Sequence, residues 1–379
     1  MPVFSCGGMR YQHSWKDVPE HEIPSKNQKN LEATIERSLA VGINHIETAR
    51  GYGTSELQVG KILRTLPRES FYFQTKVAPT KDPKEFLETF EKSMSLHGLD
   101  HVDLFSFHGI NNLEVLEDAK GCLDTARQLQ RDGRIRFIGF STHGHLDTIC
   151  QAIDTGEFDY LNLHWYWIFQ NNWPAILRAQ AQDMGVFIIS PSDKGGMLYK
   201  PTPAFSECTI PHSPMMFNDL FCLNRPEVHT LSIGASCPGD FDEHLKALNV
   251  WEQRSEYLIQ AENALHQRIS ETIGSDWWTY VTQDLPHWWD VPREINLRII
   301  LWLWSLDQAF GMREYAKERY SLLGNAGHWF PGQKATTLDG IMWEEVLADS
   351  EFLEQIPLRI QQAHEWFLKE DAKRLSLSD

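Results

Sequence analysis

Phe71-Tyr72-Phe73-Gln74-Thr75-Lys76, then Pro83 to Leu96, then Val102-Asp103-Leu104-Phe105-Ser106-Phe107-His108 read as strand, amphipathic helix, strand. A β-rich run, a segment of helical period and a second β-rich run make one parallel βα unit. Outward from it the alternation recurs. Candidate strands lie at Val3 to Cys6, Ile43 to Glu47, Ile135 to Phe140, Tyr160 to Leu163, Val186 to Ser190 and His229 to Ile233. With the two quoted runs they make eight, the number that closes a (β/α)8 barrel. Asn30 to Val41, Ser55 to Leu66, Leu113 to Arg131, Leu146 to Thr155, Asn172 to Met184 and Phe241 to Trp251 read as helices between them. The Pro-rich stretch Lys200 to Arg225 must hold both a long loop and the seventh helix. A doubly wound open sheet would need a Gly-rich turn after an early strand, and no GxGxxG occurs. From Gln253 onward only helical patterns remain, with Trp277, Trp278, Trp288, Trp289, Trp302 and Trp304 clustered there as core or packing residues. The expected fold is α/β, a (β/α)8 TIM barrel over 1–252 followed by an all-α domain over 253–379.

A chain of 379 residues accommodates that two-part plan, and 42% hydrophobic with 23% charged residues excludes a disordered or collagen-like chain. Thirty-five basic against fifty-two acidic residues leave a net charge of −17, which disfavours nucleic acid and anionic membrane as partners. Six widely spaced cysteines form no CxxC pair, as expected of a reduced cytoplasmic protein. Met1 to Trp15 has no apolar core behind a basic start, so no secretory signal is expected. The most apolar run, Ile295 to Leu306, contains Arg298 and is shorter than the roughly 20 residues of a membrane span.

Barrel chemistry sits at the C-terminal ends of the strands, which selects Glu47, Lys76, His108, Ser141 and Asn162. With Tyr52 on the loop after the second strand, Glu47, Lys76 and His108 form a proton-transfer set. A phenol is a poor acid near neutral pH unless a cation stabilises its phenolate, which Lys76 could supply while Glu47 orients the ammonium. His108 would donate a hydrogen bond to a substrate carbonyl. The set suits carbonyl reduction. Singly, each member has a structural reading as an ion pair, a packed ring or a satisfied core histidine. His143-Gly144-His145, with His164 one strand on, has the HxH form of some metal sites but no matching carboxylate, so no metal is expected. Lys76 as a Schiff-base lysine is disfavoured by a carboxylate that keeps the amine protonated.

The run Gly42-Ile43-Asn44-His45-Ile46-Glu47-Thr48-Ala49-Arg50-Gly51-Tyr52-Gly53 resembles the signature of the aldo/keto reductases, where a strand ends in Asp-Thr-Ala and Tyr-Gly follows. Phe73 to Lys76, Leu104 to His108, Ile138-Gly139-Phe140-Ser141, Ser190-Pro191 with Gly195-Gly196-Met197-Leu198, and Ser232 to Ser236 are similar to further family motifs, in the family's order. The resemblance implies a barrel that binds NADP(H) more often than NAD(H) and acts on a small carbonyl or alcohol substrate. It makes Tyr52 the general acid/base, with Glu47, Lys76 and His108 as partners. It assigns Ser141 and Asn162 to the nicotinamide carboxamide, and Ser232, Gly234 and Ser236 to the adenosine phosphates. Ser190 joins the cofactor-binding set, and Lys194 is placed toward the pyrophosphate.

The departures from the family pattern are specific. Glu47 stands where the family has Asp, Asn162 where it has Gln, and Ile189 where a large ring stacks on the nicotinamide. Asp240, Asp242 and Glu243 follow where Arg or Lys meets the 2′-phosphate. Pro2 to Ser5, Gly7-Gly8-Met9-Arg10-Tyr11 and Gly327-His328-Trp329-Phe330-Pro331-Gly332 resemble a subgroup with an added ferredoxin-type helical domain. That subgroup holds its cluster through closely spaced cysteines, yet no Cys follows Cys237, so no iron–sulfur cluster is expected. The altered set also admits an alternative, a nicotinamide-binding regulatory or interaction protein with little turnover.

Overall fold

The computed structural model describes residues 1–325, 330–347 and 350–368; Gly327, His328 and Trp329 of the last quoted motif lie outside them. Eight parallel strands close in sequence order: β1 (Phe4–Gly7), β2 (His45–Glu47), β3 (Tyr72–Val77), β4 (Val102–His108), β5 (Ile135–Ser141), β6 (Tyr160–Leu163), β7 (Gly185–Ile189) and β8 (Thr230–Ile233). β1 pairs with β8 through Phe4–Leu231, Ser5–Ser232 and Cys6–Ile233, which completes the cylinder. Each strand coincides with an expected one to within two residues at either end, because each is a short, buried, β-branched or aromatic run.

Around them run α1 (Ser25–Ala40), α2 (Ser55–Leu63), α3 (Pro83–His97), α4 (Leu113–Arg131), α5 (Leu146–Asp154) and α6 (Trp173–Ala181), then α7 (Pro203–Cys208), α8 (Pro214–Leu223) and α9 (Phe241–Asn249). Local signals set the boundaries. Asp82 accepts a hydrogen bond from the Lys84 N–H, Pro83 opens α3, and Gly98 ends it in the left-handed conformation at φ 70°. The Pro-rich stretch Lys200 to Arg225, between the seventh and eighth strands, holds two helices, α7 and α8.

Below the mouth of the barrel the interior is polar rather than purely aliphatic. Gln74 Nε2 donates to Asn162 Oδ1 (2.9 Å) and Ser106 Oγ (3.1 Å), Ser106 shares a hydrogen bond with the Tyr160 hydroxyl (2.8 Å), and His45 Nε2 meets Gln74 Oε1 (3.1 Å). Leu104, Tyr160 and Phe187 pack as an apolar cluster in the same interior.

The backbone divides into two compact units; Gly196–Phe217 group with the residues after Trp251, and the barrel strands form the other unit. The second unit carries α7 together with α10 (Arg254–Thr272), α11 (Ser275–Gln283), α12 (Leu297–Phe310), α13 (Arg313–Tyr320), α14 (Trp343–Val346) and α15 (Gln355–Phe367). α12 is buried on nearly every side, as its predominantly apolar sequence requires. Trp277 is fully enclosed, donates to Ser305 Oγ (2.9 Å), and lies edge-on to Trp304 and Phe352. The Arg359 guanidinium stacks 3.8 Å from the Trp277 ring. His287 stacks on Trp289 at 4.4 Å in the segment where the resembling subgroup has cysteines. No described helix is long and apolar enough to cross a membrane.

Candidate active site

Glu47 ends β2, Lys76 lies one residue before the end of β3, and His108 ends β4, so three successive strands deliver the polar groups to one rim. The loop after β2 is tied down before it reaches Tyr52. Thr48 N–H donates to Gln74 O, Arg50 N–H to Lys76 O and Tyr52 N–H to Ala49 O, each at 2.9 Å. Arg50 pairs with buried Glu56 (2.9 Å) and also with Asp17. Gly53 has φ 55°, and a Cβ there would lie 2.0 Å from Ser14 O, so only glycine permits the turn that presents Tyr52.

Lys76 and Glu47 form an ion pair of 2.8 Å with side chains 2% and 4% exposed. Lys76 also donates to Thr48 O (3.1 Å), while Glu47 Oε1 accepts from Ser5 Oγ (2.8 Å) and from Ser232 Oγ. The added methylene of Glu47 is thus accommodated by hydroxyls of the first and last strands. Burial pushes the Glu47 carboxyl up, but Lys76 and the surrounding donors outweigh it and bring it to about 2. Burial pulls the Lys76 ammonium down, Glu47 more than reverses this, and its net shift is upward.

Tyr52 sits with its ring edge-on to His108 (centroids 5.6 Å, 85°), and Lys76 Nζ lies 5.5 Å from the Tyr52 ring centroid. Among the described residues no side chain hydrogen-bonds to the Tyr52 hydroxyl. Lys76 does lower the phenol pKa, as the sequence reading expects, but burial comes first and Glu47 adds to it, so the net direction is upward. The reason is that burial of the phenol outweighs the lowering by Lys76. Burial, then Lys76, lowers His108 to about 3, which leaves it neutral.

These side chains share a cavity of about 120 Å³ with Gly7, Gly8, Ser141, Ser190, Lys194, Ser232 and Gly234 on its wall. Ser141 pairs in register with His108 and accepts from the Gly109 N–H (3.1 Å). Ser190 turns the chain at φ 52° after β7. Asn162 lies off the cavity wall, fully buried, with Oδ1 engaged by Gln74 and Nδ2 without a partner. Ser232 uses its hydroxyl on Glu47. Gly234 O accepts from Arg10 (2.8 Å). Ser236 lies apart from the cavity, and both its N–H (2.7 Å) and its hydroxyl (2.8 Å) donate to Asp240 Oδ2, with Arg10 3.9 Å from that oxygen.

Some participants were not legible beforehand. Ser5 escaped notice because one hydroxyl in a four-residue strand carries no pattern, although Ser5 and Ser232 are register partners. His143 and His164 contact each other at 2.5 Å, whereas His145 turns away and accepts from Asp147 N–H (3.3 Å) as the cap of α5. Among the described residues no group of three or more His, Cys, Asp or Glu is arranged to hold a metal ion.

A closed parallel barrel thus carries at its mouth a buried lysine–carboxylate pair beside a tyrosine and a neutral histidine. Residues 5–200, just over half of the chain, match the model of the aldo/keto reductase family, and the chain belongs to that family. It is 23% identical over 296 residues to the NADH-specific methylglyoxal reductase of Escherichia coli (strain K12), covering 63% of this chain and 87% of that protein. It is 31% identical over 133 residues to an aldo-keto reductase of Mycobacterium sp. (strain JLS), 34% of this chain and 43% of the relative. An aldo-keto reductase of Bacillus halodurans, solved in its holo form, shares the fold at TM-score 0.58 and 18% identity, over 69% of this chain and 91% of that structure. A thermostable aldo-keto reductase in complex with epalrestat does so at TM-score 0.57 and 19% identity, over 69% and 95%. Its relatives in that family are described as reductases.

Proposed function

We propose that the chain reduces a small aldehyde or ketone with NADH, Tyr52 giving the proton. The observation that carries this reading is the convergence of Tyr52, neutral His108 and the buried Lys76–Glu47 pair on one cavity. Bound at the mouth, the nicotinamide would supply hydride to the carbonyl carbon. The protein supplies the rest. The upward shift of Tyr52 keeps its proton available at neutral pH, and the nearby ammonium of Lys76 stabilises the phenolate left behind. His108 donates an N–H to the developing alkoxide without carrying charge of its own, a neutral electrophile in a water-poor site.

The cavity wall suits the nicotinamide half of the cofactor through the hydroxyls of Ser141 and Ser190, whereas Asn162, which the family resemblance assigns to the carboxamide, lies off that wall in the barrel interior. Lys194 would meet the phosphates. At the far end, the Ser236 donors are engaged by Asp240, and a carboxylate there repels a 2′-phosphate while accepting from a ribose hydroxyl. This favours NADH over the NADPH anticipated from the family resemblance, in keeping with the NADH-specific methylglyoxal reductase of Escherichia coli to which the chain is similar. That relative and the small cavity together make aldehydes of methylglyoxal size the first substrates to try.

Steady-state NADH oxidation with methylglyoxal tests the reading. Tyr52→Phe should abolish turnover while NADH still quenches tryptophan fluorescence; full activity in that variant removes Tyr52 from its role. Clear turnover by the wild-type chain also excludes a purely binding role.

A further inference from the structure

The helical unit holds a cavity of its own, of about 320 Å³, whose wall includes Arg293, Ile295, Leu323, Lys334, Thr336 and Thr337. Its floor is apolar, with Ile295 and Leu323 at most 1% exposed. Its rim is polar: Arg293, Thr336 and Thr337 are exposed and Lys334 is half-buried. Backbone bonds tie the wall segments into one frame. Gln333 N–H donates to Glu294 O (2.8 Å), Asn296 N–H to Gln333 O (3.1 Å) and Gly324 N–H to Gly332 O (2.9 Å).

Arg293 and Glu294 stand at φ 60° and 56°, two successive left-handed residues neither of which is glycine, a costly conformation that persists only where its surroundings enforce it. The Arg293 side chain is fixed as well, Nη1 donating to Thr337 O (3.0 Å) and Nη2 to Asp339 O (2.7 Å). Both acceptors are neutral carbonyls. They hold the plane of the guanidinium without cancelling its charge, and they use two of its five N–H groups, which leaves three free. Lys334 adds a second positive charge to the same cavity, and among the described residues no carboxylate pairs with either cation. In a chain with net charge −17, two unpaired cations on one cavity are a local exception.

The occupant follows from the chemistry. A pre-oriented guanidinium beside an ammonium suits phosphate oxygens, and the hydroxyls of Thr336 and Thr337 can donate to the same group. Charges that border an apolar floor are screened less than those on an open surface. The volume lies at the small end of ligand pockets, and the floor formed by Ile295 and Leu323 offers a surface for carbon atoms rather than for a second charge. We propose that this cavity is a binding site for a small phosphate monoester, its phosphate held by Arg293 and Lys334 and its carbon body resting on Ile295 and Leu323. The site is independent of the reductase reading.

Calorimetric titration of the full chain with inorganic phosphate and with ethyl phosphate, at matched ionic strength, tests it. Ethyl phosphate should bind more tightly than inorganic phosphate, and Lys334→Met should lose about tenfold in affinity for both. Lys334 has no partner in the protein, so circular dichroism and Tm of Lys334→Met should equal those of the wild type. Arg293→Met should show a similar loss of affinity, and Arg293→Lys should not restore it, because the ammonium cannot reproduce the fork across Thr337 O and Asp339 O. Inorganic phosphate bound at least as tightly as the ester overturns the assignment of the apolar floor. Absence of binding by both probes, or unchanged affinity in folded Lys334→Met, overturns the site.

Discussion

Replacing Lys76 by Met strands the Glu47 carboxylate in a site 4% exposed, where it keeps only the hydroxyls of Ser5 and Ser232. In the native protein Glu47 titrates at about 2 against an ordinary 4.5, a difference of about 2.5 pKa units, or about 3 kcal/mol at 1.36 kcal/mol per unit. Removing one partner of a buried pair costs about 3–5 kcal/mol, of the same order. The sign with pH follows. A depressed carboxyl contributes stability that is complete above 4.5 and is lost as pH falls toward 2. In Lys76→Met burial dominates, the Glu47 pKa rises above its unfolded value, and folding becomes linked to proton uptake. The gap between wild type and variant in urea unfolding should therefore be about 3–5 kcal/mol at neutral pH and shrink as pH approaches 4.5. Adding Glu47→Gln to the variant should recover part of the loss. A gap below about 1 kcal/mol, or one that widens in acid, would refute the view that this pair is a tightly coupled charge centre.

Three further outcomes are expected. His45, His97 and His108 are buried and held neutral, at about 4, 3 and 3 against an ordinary 6.5. Their contribution is complete above 6.5 and is lost as pH falls toward 3, so thermal unfolding followed across that window should show a steep drop in Tm; a flat profile would contradict their burial in the neutral form. Asp240→Asn should narrow the preference for NADH over NADPH in fluorescence titrations by about tenfold, and an unchanged ratio would absolve Asp240. Gly8→Ala should destabilise the chain by about 1–3 kcal/mol, because a Cβ there meets Glu47 O and Ser55 Oγ at 2.8 Å; wild-type stability and activity would show that the rim yields more easily than its contacts suggest.

The strands were legible because a central parallel strand is buried on both faces and must be spelled in apolar residues. Val102 to His108 and Tyr160 to Leu163 match their observed bounds. The same rule placed Glu47, Lys76 and His108, since a charge at the end of such a run has nowhere to go but the rim. What strand spelling could not reveal was direction across the barrel. Nothing local to Ser5 and Ser232 announces that both address Glu47. Lys200 to Arg225 resisted for another reason: its prolines open two short helices, and neither is long enough to declare a period. The Trp-rich tail advertised a packed interior through α12, but the stacking of Arg359 on Trp277 depends on a residue distant in sequence.

One consequence concerns the seam of the cylinder. Ser5 and Ser232 flank the line where the first strand meets the last, and both grip the carboxylate that steadies Lys76. The charge centre is finished only when the two ends of the barrel find each other. A chain still growing on the ribosome has an incomplete Glu47 until Ser232 has emerged, so a fully hydrogen-bonded charge centre, in such a molecule, reports ring closure.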